Sequence, residues 1–127
     1  MATDKCICIV DDNEPVRKSM VALFRAYGYS VSSYASAEDL LNAREWDRLG
    51  CLVVDFNMPG LNGLQLLHTL QKWGVNIPVL VLSGRVTAEE VTQLELAGAA
   101  EIVHKPVNGA ELMQTIGDLM SDAIAYG

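Results

Sequence analysis

Cysteine is scarce in this 127-residue chain, and the three present, Cys6, Cys8 and Cys51, are an odd number with no secretory signal before them. That argues against a disulfide framework and for buried thiols in a reducing cytoplasm. Cys6 and Cys8 are separated by one residue, which is too close for the usual spacing of a structural zinc pair, and no further Cys or His cluster completes a set. No apolar run approaches the ~18 residues that a membrane-spanning helix needs. Basic residues are few: nine against sixteen acidic, a net charge of −7. Without a basic patch to neutralise phosphates, the chain is not expected to contact nucleic acid directly, and any action on DNA needs another domain. The acidity favours solubility and cation binding. Linkers, repeats and low-complexity segments are lacking too, so residues 1–127 read as one domain.

Half of the residues are hydrophobic, enough for strands covered on both faces. Five short apolar runs alternate with helix-like stretches. The first, Cys6 to Val10, is continuous rather than alternating, as in a strand buried on both sides. Asp11, Asp12, Asn13, Glu14 and Pro15 follow, and then a helical pattern with Val16, Met20, Leu23, Phe24 and Tyr27, stopped by Gly28. Pro15 suits the first turn of that helix. A weak second strand near Ser30 to Ser33 precedes a short helix bearing Leu40 and Leu41, capped by Ser36. Asp47 and Arg48 read as a loop. The third run, Cys51 to Val54, ends on Asp55, and a loop with Pro59, Gly60 and Gly63 leads to a helix with Leu64, Leu67, Leu70 and Gln71. The fourth run, Val79 to Leu82, ends on Ser83, and a helix from Ala88 to Leu96 precedes Gly98. A short fifth strand, Glu101 to Val103, leads through His104, Lys105 and Pro106 to a last helix with Leu112, Ile116, Leu119 and Met120. Ala125 to Gly127 read as a frayed end.

This rhythm is βα repeated five times, an α/β fold with a doubly wound parallel sheet and helices on both faces. Right-handed crossovers and the strand order 2-1-3-4-5, taken over from known folds of this kind, place strands one and three side by side. Ligands of such sheets bind at the carboxyl ends of the strands. Strand one delivers Asp11 and Asp12 there, strand three Asp55, strand four Ser83, and strand five Lys105. Three clustered carboxylates repel one another unless a cation sits among them. Magnesium suits such a set, being a hard ion that prefers oxygen ligands and readily shares substrate phosphate. Asp12 and Asp55 are expected to touch it directly, Asp11 through water, with the backbone carbonyl of Asn57 as a further oxygen. Asp55, central in the sheet, is then a nucleophile toward phosphorus, forming an acyl phosphate. Lys105 and the Ser83 hydroxyl would hold the transferred oxygens.

Each residue alone has a plainer reading. Asp11 and Asp12 could cap the following helix. Asp55 could be structural, Ser83 could cap a turn, and Lys105 could be solvated. His104 is a weak catalytic candidate, and Met58, Met113, Met120 and Trp73 need no more than packing. The joint appearance of the polar set at successive strand ends is what the plainer readings leave unexplained.

These residues resemble the receiver domain of two-component response regulators. The carriers are Val10-Asp11-Asp12, Val53 to Gly60 with Gly63 following, Leu82-Ser83-Gly84, and His104-Lys105-Pro106. The separations from Asp12 to Asp55, Ser83 and Lys105 in turn are 43, 28 and 22 residues, which match that family. Asp11 to Arg17, Gly28-Tyr29, Ala35 to Asp39 and Gly50 to Val53 are similar to the nitrogen-fixation and nodulation-type regulators. Members of that branch usually carry a C-terminal helix-turn-helix output domain, through which any DNA contact would be made and which is not expected in residues 1–127.

The resemblance implies that Asp55 takes a phosphoryl group from a phosphohistidine on a sensor histidine kinase or histidine phosphotransfer protein. Ser83 then moves toward that group, and the surface of the fourth helix, fifth strand and fifth helix changes. Dimerisation or binding of an output partner, in transcription control, would follow. Slow autodephosphorylation resets a phosphoacceptor of this kind, which is not a conventional turnover enzyme. Two positions depart from the family pattern. Ile102 stands where an aromatic switch residue is usual, so coupling is weakened, already biased, or carried elsewhere. Arg85, two residues after Ser83, could meet the phosphoryl group, the kinase, or Glu89. Two rival readings are a phosphate-independent interaction module and a magnesium-dependent aspartyl-phosphate phosphohydrolase. The latter needs a second acid or base near the nucleophile, where this chain has Asn57.

Overall fold

A computed structural model describes the backbone of residues 5–126 and the side chains of residues 5–121. Its strands are β1 (Cys6–Val10), β2 (Ser30–Tyr34), β3 (Leu49–Asp55), β4 (Val79–Ser83) and β5 (Glu101–His104). The helices are α1 (Glu14–Ala26), α2 (Ala37–Ala43), α3 (Gly63–Lys72), α4 (Ala88–Leu96) and α5 (Gly109–Tyr126). All neighbouring strands pair in parallel, in the order β2-β1-β3-β4-β5. The expected architecture is therefore the observed one.

Every residue of β1, β3 and β4 is buried, which explains their unbroken apolar character. Alternate residues supply two cores. Cys8, Val10, Leu52, Val54 and Val81 pack with Leu40 of α2, Leu66 and Leu70 of α3 and Leu94 of α4. Ile7, Ile9, Val53, Leu80 and Leu82 pack with Met20 and Phe24 of α1 and with Leu112 and Ile116 of α5. Full burial of one such side chain contributes roughly 1.5–3 kcal/mol, so these two layers hold the strand ends in fixed relation.

Local signals set the helix boundaries. Ser36 caps α2, and Asn62 with Gln65 and Thr87 with Glu90 form capping boxes on α3 and α4. Five details differ from the sequence expectation. Asn13, not Asp11 or Asp12, caps α1, its side chain accepting the Val16 amide at 3.0 Å. Trp46–Arg48 forms a 3-10 turn where a loop was expected at Asp47 and Arg48. On α1 the buried apolar residues are Met20 and Phe24, while Val16 in the first turn and Tyr27 at the C-cap are exposed. Trp73 is also exposed, its ring lying 6.4 Å from Trp46 and 4.8 Å beneath the Arg44 guanidinium. Ala125 and Tyr126, expected to fray, continue α5, whereas Gly127 lies outside the described residues. Met58, Met113 and Met120 are buried.

The three cysteines are free and buried. Burial pushes the Cys8 and Cys51 thiols up to about 12, so almost no thiolate exists near neutrality. Native protein held with iodoacetamide at pH 8 is expected to leave both unmodified, and urea-unfolded protein to react at both. Peptide mass mapping reads the difference, and rapid native alkylation of Cys8 or Cys51 would contradict the packing described. Among the described residues, no helix is long and apolar enough to cross a membrane.

Candidate functional site

Parallel pairing brings the carboxyl ends of β1, β3, β4 and β5 to one edge, in that spatial order. The ladder continues just past the strands. Asp11 donates its amide to the Tyr34 carbonyl (3.2 Å), Phe56 to Leu82 (2.8 Å) and Lys105 to Ser83 (2.8 Å). Residues at these ends therefore stand on hydrogen-bonded backbone rather than on free loops, which is what a precise polar site requires.

The end of β3 has an additional constraint. Gly63 opens α3 directly against this strand end, its amide bonded to the Phe56 carbonyl at 3.1 Å. A side-chain carbon at Gly63 would lie 3.1 Å from the Phe56 Cα and 3.4 Å from the Asp55 carbonyl oxygen. Both neighbours are backbone and cannot swing aside, so glycine here permits the approach of helix to strand. At Gly60 the backbone adopts φ +74°, a conformation that L side chains rarely take.

Asp11, Asp12 and Asp55 each bring one carboxylate oxygen to within 4.8 Å of the others. Asp11 is 1% exposed and Asp55 7%, while Asp12 reaches solvent. Two such buried charges repel by about 3 kcal/mol at an effective dielectric of ~20. Lys105 offsets part of this, its Nζ lying 3.2 Å from Asp55 Oδ1. The Asp11 carboxyl is held above its ordinary value of 3.8, chiefly by burial. The charges of Asp55 and Asp12 add to that rise, while the Asn13 amide and Lys105 oppose it.

Two atoms in this region are buried without a hydrogen-bond partner, Asp11 Oδ2 and Ser83 Oγ. Asp11 Oδ1 is satisfied by the Asn13 amide at 2.9 Å. Leaving a buried acceptor unpaired costs about 1–3 kcal/mol, and a hard cation with its bound water would relieve both that and the crowding of charge. The all-oxygen donor set fits magnesium. Ser83 caps no helix, because Thr87 caps α4, so its hydroxyl is free for a ligand.

The structure thus brings Asp11, Asp12, Asp55, Ser83 and Lys105 together. Asn57, two residues past Asp55, is exposed on the loop. Arg85 is exposed, and no ion pair to Glu89 occurs among those of the described residues. Ile102 is half-buried, pairs in register with Val81 and packs against the core on the α2–α4 side. His104 is exposed at the end of β5. Two side chains not assigned a role from sequence also reach the site loops. Arg17 Nη1 donates to the Asp11 carbonyl at 2.8 Å, and Glu38 accepts the Leu61 amide at 3.3 Å. A cavity of about 440 Å³, lined by Val16, Met20, Leu23, Pro106, Leu112 and Lys105 among others, adjoins the site between α1 and α5.

Residues 7–117 match the family described as the response regulator receiver domain. The transcriptional regulatory protein FixJ of Rhizobium meliloti is 35% identical over 114 residues, covering 90% of this chain and 56% of FixJ. The sensory/regulatory protein RpfC of Xanthomonas campestris is 37% identical over 115 residues, covering 87% of this chain and 16% of RpfC. The chain spans about half the length of FixJ and of nodulation protein W of Bradyrhizobium diazoefficiens. Among solved structures, a CheY-like receiver domain protein from Methanospirillum hungatei superposes with a TM-score of 0.90 at 26% identity, covering 97% of this chain and 98% of that one. The crystal structure of FixJ-N gives 0.85 at 33% identity, covering 93% and 94%.

Proposed function

The chain belongs to the response regulator receiver domain family, and from that premise we propose that Asp55 is the phosphoacceptor of a two-component switch. The observation that carries this reading is the placement of Asp55. It ends the central strand, is buried, lies 3.2 Å from Lys105, and shares a tight cluster with two further carboxylates.

A carboxylate oxygen of Asp55 attacks the phosphorus of a phosphohistidine on a sensor kinase or phosphotransfer protein. The P–N bond breaks, the imidazole nitrogen leaves with the electron pair, and an acyl phosphate remains. Lys105 transfers its pairing from the carboxylate to a phosphoryl oxygen, and Ser83 donates its hydroxyl to another. Asp12, Asp55 and the Asn57 carbonyl would hold magnesium, with Asp11 bound through water. When bound, the ion neutralises charge on the phosphoryl oxygens. Water attacking phosphorus later releases inorganic phosphate and restores the carboxylate. The apolar cavity between α1 and α5 shares Lys105 with the site, which favours it as the place where the phosphohistidine donor docks in the cytoplasm.

Movement of Ser83 toward the phosphoryl group would shift the α4–β5–α5 surface, a two-state bias that controls dimerisation or an output partner in transcription. With Ile102 on β5, an aliphatic side chain carries that coupling in place of a ring, and Arg85 stands exposed beside the loop to meet donor or phosphoryl group. Lys105→Ala is expected to keep magnesium binding at least as tight as in the parent, because a positive charge beside the site is removed, while abolishing the phosphorylation-dependent NMR shifts on α4, β5 and α5. Loss of metal binding in this variant would assign Lys105 a different role.

Acetyl phosphate tests the proposal with a minimal donor. A gain of one acid-labile phosphoryl group by intact mass, seen with magnesium and lost with chelator, is expected. A folded sample that gains none from acetyl phosphate or from a phosphohistidine donor would instead favour a phosphate-independent interaction module.

A further inference from the structure

We propose that Arg17 is a positioning residue for the cation site, holding the Asp11–Asp12 peptide in the orientation that presents both carboxylates, an inference that rests on the reading of the site given above. Arg17 lies in the first turns of α1, and its Nη1 donates to the Asp11 carbonyl at 2.8 Å. That carbonyl belongs to the peptide joining Asp11 to Asp12, so anchoring it fixes the plane from which Asp12 projects. The Arg17 amide meanwhile donates to the Asn13 carbonyl at 2.9 Å. One residue therefore grips the turn on both sides of Asp12.

The other restraints on this turn are the Asp11 amide on Tyr34 at 3.2 Å, the Asn13 amide on Asp11 Oδ1 at 2.9 Å and the Val16 amide on Asn13 Oδ1 at 3.0 Å. None of these restrains the Asp11 carbonyl. Asp12 is exposed and makes no hydrogen bond among those of the described side chains, so its position depends on the backbone beneath it. A guanidinium suits the task because its planar fork is pre-organised and stays charged at any working pH.

The two roles Arg17 can have make opposite predictions. A positive charge beside a cation site, acting only through its field, weakens magnesium binding, so removing it would tighten the site. A side chain that orders the ligands strengthens binding, so removing it loosens the site. Partners that orient metal ligands typically contribute about 10- to 100-fold in affinity. Because Arg17 touches a backbone oxygen at the solvent edge, the lower end of that range is expected.

Magnesium calorimetry on the parent, Arg17→Met and Arg17→Lys decides between them, with metal-free thermal midpoints and amide exchange measured alongside. Arg17→Met is expected to bind magnesium about tenfold more weakly, to keep a cooperative metal-free transition, and to exchange the Asn13 amide faster. Arg17→Lys keeps charge and one donor, and its affinity should fall between the two. It also supplies the test should the methionine variant fail to fold. Unchanged or tighter magnesium binding in these variants would overturn the positioning role, as would a lowered midpoint with unchanged affinity. A parent protein that binds no magnesium would overturn the site reading itself, and this proposal with it.

Discussion

Asp55→Asn is expected to fold as the parent does and to accept no phosphoryl group, a fall of at least ~100-fold in the initial rate of modification. The amide keeps the size of the carboxylate and lies at the end of a strand whose seven residues are all buried. Removing one of three crowded charges relieves repulsion, and Lys105, partly open to solvent, remains hydrated after losing its partner. The neighbouring acids should not substitute as acceptors. Asp11 has one oxygen committed to the Asn13 amide, and Lys105 pairs with Asp55 rather than with Asp12. Intact mass after acetyl phosphate treatment, with circular dichroism to confirm the fold, measures the result. Modification retained at parental rates would place the acceptor elsewhere.

Asp11→Asn is expected to stabilise the metal-free protein at neutral pH by about 1–3 kcal/mol and to cost magnesium affinity tenfold or more. Burial and two neighbouring carboxylates hold the folded Asp11 carboxyl above 3.8, so between that value and its raised value the folded chain binds a proton that the unfolded chain does not. Metal-free stability from this group therefore rises as pH falls through the raised value, levels off near 3.8, and is lost again as pH returns to neutral. The asparagine variant should lack this slope. With saturating magnesium the parent gains stability at neutral pH, because the ion binds only the folded chain, and loses it on acidification as protons compete. Urea unfolding at several pH values, with chelator and with magnesium, reads all of these. An asparagine variant that keeps the parent's metal-free dependence of stability on pH would contradict the strained acidic cluster.

The residues that converge at the site were legible in the sequence because a parallel sheet places every strand's carboxyl end on one edge. Once Asp11, Asp12, Asp55, Ser83 and Lys105 fall at the ends of apolar runs, topology does the rest. The continuous runs in β1, β3 and β4 were equally readable, since strands covered on both faces are apolar along their length up to the polar residue at the site end. Other features depend on contacts that no local pattern encodes. Asp11, Asp12 and Asn13 are all good capping residues, and only backbone geometry selects Asn13. The spacing of Val16, Met20 and Tyr27 marks an apolar stripe on α1, but not that its ends leave the core. The bond of Glu38 to Leu61 joins residues 23 apart in sequence, with no periodicity to announce it. Arg17 stands in a recognisable motif, yet its reach back to the Asp11 carbonyl depends on the angle at which α1 leaves β1.

The most direct test of the account is to trap the modified residue chemically. Protein phosphorylated in the presence of magnesium and then treated with borohydride has its acyl phosphate reduced to an alcohol, which converts an aspartyl phosphate to homoserine. Tandem mass spectrometry of the digest then reports the position. The account predicts homoserine at residue 55 and at no other aspartate, absent when magnesium is withheld. Homoserine at residue 11 or 12, or stable phosphate on a hydroxyl side chain with none at 55, would contradict it.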